Sequence, residues 1–357
     1  MFKPDYRNIV DCAYNREPKR VPLYEHNISA NIMEKITKRP FVHLLNGTDA
    51  DFEEYMEQYC RFFEQMGYDT VTFEGCITVV LPYGGALAHI RPGYIDSREK
   101  FESYPFDSVK GLYIGYFKRY FDALRRHMPE GMKAIGGVGN GVFEIVQDLV
   151  GYENLAIMSF DEPDLFAELF VKVGDMMCEI WEWFLKEYAD VYCVCRFGDD
   201  LGYRSNTLLS HDAIRAHILP QYRRIVDMVH RAGRPFLLHS CGCIFDVMDD
   251  IIDVAKIDAK HSNEDQIADF RVWVEKYGDR IGNFGGVDTD HLTRMDSGEL
   301  RSLVVKLLED CARGHGGVAI GSGNSIPDYV DPEKYLVMVN TVRRWRGDYD
   351  QKNKKST

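Results

Sequence analysis

The chain has 357 residues, with 43 Lys and Arg against 56 Asp and Glu, a formal net charge of −13 at pH 7. Hydrophobic residues make up 45% and charged residues 28%, the balance of a globular protein, and the acidic excess argues against a general nucleic-acid or anionic-membrane binder, which needs a basic face. No run of about 18 apolar residues is present to span a membrane, and the polar opening MFKPDYRNIVDC lacks the apolar core of a signal peptide.

In chain order, residues 1–20 are expected to form a helix ahead of a first strand at 21–25. A second strand follows at 69–74. Between 75 and 132, the run TVVLPYGGALAHIRPG reads as a hairpin turning at Tyr83-Gly84-Gly85. Further short β-rich runs lie at 133–137, 191–197, 236–239, 255–260, 280–286 and 317–321. Several are almost wholly apolar, as strands buried on both faces are.

Amphipathic helices lie between these strands. In 163–189, Leu165, Phe166, Leu169, Phe170, Val173, Met176, Met177, Ile180 and Phe184 make one stripe at the 3.6-residue period. A helix over 212–232 opens after Ser210, stops at Gly233 and is expected to kink at Pro220. Two more are expected at 264–277 and 299–311. Eight strands alternating with helices point to a (β/α)8 barrel carrying an N-terminal helical extension and the hairpin insertion. The alternative is a doubly wound sheet, but no early Gly-rich phosphate fingerprint follows a first strand. Residues 1–350 read as a single domain and 351–357 as a disordered tail. Nine cysteines without an export signal read as reduced cytoplasmic thiols, mostly buried.

Barrel enzymes build their sites at the C-terminal ends of the strands. There the sequence places Glu25, His26 and Asn27, then Glu74, Asn140, Asp199 and Asp200. His239, Cys241, His261, Asp288, Ser322 and Asn324 follow. Capping of the following helix accounts for Asp199, Asp200 and Ser322 one by one, but less well for ionisable types at nearly every strand end. Tyr24, Phe73, Tyr83 and Tyr203 could serve as aromatic walls or as core.

The sharpest element is Leu238-His239-Ser240-Cys241-Gly242-Cys243. An imidazole and a thiolate two residues apart beside a Gly turn suit zinc; the plain alternative is a buried Cys next to a hydrogen-bonded His. A catalytic zinc keeps three protein ligands and an open position. The further ligand is left open among Glu74, Cys76, Asp199, Asp200 and His261.

Residues 234–335 resemble the uroporphyrinogen decarboxylase superfamily in the segments LLHSCGCIFDVMDDII, IDAKHSNEDQI, GDRIGNFGGVDTDHL and AIGSGNSIPDYVDPEKY. Weaker similarity covers most of the chain. The superfamily has a (β/α)8 barrel and also contains corrinoid-dependent methyltransferases. Its decarboxylases carry an Arg motif near the N-terminus, of the form RQAGR. The corresponding stretch here, LYEHNISAN at 23–31, has no Arg, so it is a poor host for a tetrapyrrole with many carboxylates. The zinc methyltransferases carry His-x-Cys after strand five, matched by His239 and Cys241. They also carry a Cys after strand eight, where this chain has Ser322, a departure from both branches.

The resemblance therefore implies a zinc-dependent methyltransferase of anaerobic metabolism in the cytoplasm. It would move a methyl group between a small substrate and a corrinoid (methylcobalamin) carried by a partner protein. His239, Cys241 and His261 are the expected metal ligands, and Asp199, Asp200 and Glu74 the catalytic acids. His26, Asn140, Asp288, Ser322 and Asn324 are the expected substrate-binding residues. A homodimer is compatible with this reading. A metal-free decarboxylase and a non-catalytic binding barrel are the alternatives.

Overall fold

The computed structural model describes residues 2–349; the tail expected at 351–357 lies outside them. Among the described residues there are seven strands: β1 (Thr70–Cys76), β2 (Lys133–Gly139), β3 (Tyr192–Gly198), β4 (Phe236–His239), β5 (Ala259–His261), β6 (Gly282–Val287) and β7 (Val318–Ser322). They follow one another in the sheet in chain order, with helices between them. The pairs β3–β4, β5–β6 and β6–β7 are parallel. The fold is the α/β barrel type that the alternation predicts, and the expected N-terminal helix is Arg7–Ala13.

Two expected elements are corrected. The strand at 21–25 is reduced to an isolated parallel bridge between Leu23 and Ile320. The Tyr24 N–H donates to the Ile320 carbonyl at 3.0 Å, and the Ile320 N–H to the Pro22 carbonyl at 3.0 Å. Pro22 has no N–H to extend this ladder, and the Thr72 hydroxyl donates to the Glu25 carbonyl at 2.8 Å. The hairpin at Tyr83-Gly84-Gly85 does not form. The Asp148 carboxylate accepts the N–H groups of Gly85 and Leu87 at 2.9 and 3.0 Å, and the Leu149 carbonyl accepts those of Tyr94 and Ile95. With these donors satisfied by one side chain and one carbonyl, no cross-strand ladder is built.

The chain divides into two compact units. One comprises Met1–Phe73, Asp122–Ile135 and Asp258–Thr357, the other Glu74–Phe121 and Gly136–Ile257. The first holds β5, β6 and β7. Its helices Asp49–Met66 and Ser297–Cys311 each start on a reciprocal capping box, Thr48 with Asp51 and Asp296 with Glu299, which satisfies orphan N–H donors. Phe62, Phe63, Tyr68 and Tyr335 pack in its core.

The second unit holds β3 and β4. All nine residues of the predicted stripe are buried on the helix Pro163–Tyr188, each contributing about 1.5–3 kcal/mol of apolar burial if fully covered. The predicted kink at Pro220 is a π-helical turn, Ile214–Ile218, leading into Leu219–Arg231. A Pro without an N–H cannot complete the usual i to i−4 bond, and the backbone widens just before it.

Candidate metal and acid site

In the second unit, the ends of β3 and β4 carry three potential ligands. β4 ends on His239, which is buried. Two residues later, Cys241 Sγ lies 3.4 Å from His239 Nε2. Asp200 follows β3; its Oδ1 accepts the Cys241 N–H at 2.9 Å and lies 3.8 Å from His239 Nε2. The side chain of Asp200 is 44% exposed, so this edge opens to solvent. One ligand atom from each residue lies within 4.8 Å of the others. Gly242 makes the turn possible. Its φ is +83°, and a Cβ there would fall 2.1 Å from the backbone of Gly202. Cys243, the second thiol of the motif, is half-buried, and its N–H donates to the Tyr203 carbonyl at 2.7 Å.

Asp199, the neighbour of Asp200, is fully buried. Its carboxylate accepts the N–H groups of Phe143 and Glu144 at 3.0 and 2.7 Å and the Tyr222 hydroxyl at 2.6 Å. Through these bonds it caps the helix Val142–Val150, which precedes it in the chain, and not the following helix that its sequence position suggests. Burial pushes its pKa up to about 7, against the pull of those hydrogen bonds. Gly141 allows the approach, since a Cβ there would fall 2.2 Å from the Asp199 side chain.

Glu144 is a residue that sequence reasoning misses. Burial pushes its carboxyl well above the ordinary range, and the neighbouring Asp199 and Asp200 push it further. Asn140, at φ +65°, donates to Glu144 at 2.8 Å, and its carbonyl oxygen accepts from the Thr78 N–H and hydroxyl at 3.2 and 2.9 Å. The one available signal is position: Glu144 stands in the first turn after β2, four residues past Asn140. Glu74 is paired with Arg196 at 2.7 Å, with side-chain exposures of 17% and 0%.

The first unit carries polar strand-end residues of its own. The His26 and His261 rings stack at 5.7 Å, and His261 Nε2 donates to the Ser322 carbonyl at 3.0 Å. Glu25 is wholly buried. It accepts the Ser322 N–H at 3.2 Å and is hydrogen-bonded to the Ser322 hydroxyl. That hydroxyl also lies 2.6 Å from the Asn324 carbonyl oxygen. Burial pushes the Glu25 pKa up to about 8. Asp288 caps the helix Thr289–Arg294 through the Asp290 N–H and also accepts the Asp265 N–H, both at 2.6 Å. Of the aromatic residues, Tyr24 is core, Phe73 packs on Tyr59, and Tyr83 and Tyr203 are exposed.

The sequence model described as uroporphyrinogen decarboxylase (URO-D) matches residues 8–345. No curated protein matches the chain by sequence. Among solved structures, a methyltransferase from Methanosarcina mazei superposes with a TM-score of 0.68 at 14% identity, over 95% of this chain and 98% of that one. A putative vitamin-B12-independent methionine synthase from Listeria monocytogenes does so with a TM-score of 0.51 at 9% identity, over 98% of this chain and 100% of that one. At these identities the likeness is one of fold.

Proposed function

The chain belongs to the uroporphyrinogen decarboxylase family, and on that premise we propose that it transfers a methyl group between a small methylated substrate and a corrinoid carried by a partner protein. Asp200, His239 and Cys241 would hold a zinc ion. The observation that carries this reading is the spacing of the donor atoms. Tetrahedral zinc, with Zn–S near 2.3 Å and Zn–N near 2.0 Å, sets a sulfur and a nitrogen ligand about 3.5 Å apart. His239 Nε2 and Cys241 Sγ are 3.4 Å apart. Asp200 would supply a carboxylate as third ligand, a donor type that zinc accepts.

Three protein ligands leave one position for substrate, and a zinc ion bound there supplies a Lewis acid to the heteroatom that loses or gains the methyl group. The chain's own residues do the rest. The Cys241 N–H orients the Asp200 carboxylate. Asp199 fixes the turn beneath, its N–H donating to the His239 carbonyl at 2.9 Å. When the substrate gives up its methyl group, the heteroatom keeps the bonding pair and takes a proton. Glu144, whose carboxyl burial pushes toward the protonated form and which lies within electrostatic reach of Asp200, is the proposed source. His26, Asn140, Asp288 and Asn324 remain proposed substrate contacts, and His261 a reserve ligand.

Decarboxylation of a small acid is the second reading, favoured by the family and by Arg196, a buried guanidinium on β3. Glu74 already neutralises it, which leaves a substrate carboxylate a weaker partner. Metal analysis of untagged protein separates the two. About one zinc per chain, lost in Cys241→Ser and His239→Ala, is expected; wild-type protein that holds no zinc after zinc is supplied would overturn the proposal.

A further inference from the structure

The buried network around Glu25 contains one proton more than an ionised carboxylate allows. Ser322 Oγ lies 2.6 Å from the Asn324 carbonyl oxygen and is also hydrogen-bonded to Glu25 Oε2. A hydroxyl has one proton, and a carbonyl oxygen can only accept. If the Ser322 proton pointed to an ionised Glu25, the hydroxyl and carbonyl oxygens would face each other at 2.6 Å with no hydrogen between them. The arrangement closes when the proton between Glu25 and Ser322 belongs to Glu25.

We propose that Glu25 is held as a neutral carboxylic acid and is the positioning residue of the turn after β7, donating to Ser322 Oγ, which in turn donates to the Asn324 carbonyl. The other partners fit the same direction. The Ser322 N–H donates to the carboxyl, and Tyr68 lies beside it. The Tyr68 and Tyr335 hydroxyls are 2.7 Å apart, so Tyr335 can donate to Tyr68 and leave the Tyr68 proton free to face Glu25. Every hydroxyl then donates once, and the Asn324 carbonyl ends the chain. Burial supplies the reason for neutrality, since an ionised carboxylate removed from water is costly without a cation beside it. The titratable groups around it are Tyr68 and Tyr335, with Arg346 acting on Tyr68 and His261 holding the Ser322 carbonyl.

The proposal does not depend on methyl transfer or on metal. It also accounts for Ser322, whose proton and accepting lone pair are both committed. The residue that stands where relatives carry a ligand serves as a spacer between an acid and a main-chain carbonyl.

Infrared spectroscopy of the full-length protein at pH 7 tests this. Wild type should show one protonated-carboxyl stretch that Glu25→Gln lacks and that shifts in Ser322→Ala. Glu25→Gln keeps a donor and an acceptor in the same places and has no proton to lose, so it should be at least as stable as wild type at pH 7. The folded pKa is raised above the unfolded value, so the stabilisation is complete below the unfolded pKa and is lost as pH rises toward about 8. The urea midpoint of wild type should therefore fall between about pH 5 and pH 8 with the slope of one proton more than that of Glu25→Gln. Identical carboxyl spectra, identical pH slopes, or a Gln variant markedly less stable at pH 7 would each overturn the proposal.

Discussion

His239 Nε2 and Cys241 Sγ stand 3.4 Å apart at the end of a single strand. Two residues of one chain segment thus present both donors, while Asp199 and Asp200 hold their backbones. Cys241→Ser should lower zinc affinity by at least tenfold while leaving the fold intact, because Cys241 lies half-buried on a turn. Competition with a chromophoric chelator, alongside circular dichroism, reads both quantities.

Gly242→Ala should do more damage than its size suggests. The backbone there has φ +83°, and the new Cβ would overlap Gly202. Strain of about 1–3 kcal/mol, added to the displacement of Cys241, should cost both stability and metal. A variant with unchanged urea midpoint and unchanged zinc content would contradict this account.

Asp199→Ala removes the cap of Val142–Val150 and leaves the Tyr222 hydroxyl without its carboxylate. The expected cost is about 2 kcal/mol, a helix cap plus a buried hydrogen bond. Tyr222→Phe should cost less, since it removes the donor itself and leaves Asp199 its two backbone bonds. Chemical denaturation of the two variants tests the order.

Glu74→Ala takes the carboxylate away from the buried Arg196 guanidinium. Removing one partner of a buried pair costs about 3–5 kcal/mol, and Glu74 is only partly exposed, so the lower end is expected. The double variant Glu74→Gln with Arg196→Met should recover much of the loss, as measured by thermal melting.

The pair Asp265 and His291, 3.4 Å apart, gives a separate pH signature. Burial pushes Asp265 up to about 6, only partly offset by His291. A raised folded pKa means that its stabilising contribution is present at acid pH and lost as pH climbs through about 6. Asp265→Asn should flatten stability between about pH 4 and pH 6, as read from urea midpoints.

The strands and the strand-end positions are legible in the sequence because parallel barrels write them as apolar runs followed by polar residues. The buried stripe on Pro163–Tyr188 is equally clear. What the sequence hides is set by partners far along the chain. The strand at 21–25 stops because of Pro22 and because Thr72 donates to the Glu25 carbonyl. The Tyr83 turn carries hairpin residues, but Asp148, distant along the chain, takes its donors. The His-x-Cys pair is visible as a motif, whereas only the structure brings Asp200 beside it. Glu144 goes unmarked because its character comes from burial next to Asp199, which no local pattern announces.

Asp199 also works as a mechanical joint. Its side chain grips the first turn of Val142–Val150, and its own N–H grips the carbonyl of His239. Two short links therefore join that helix to the imidazole-bearing residue. The helix after β2 and the thiol–imidazole pair thus hang on one residue.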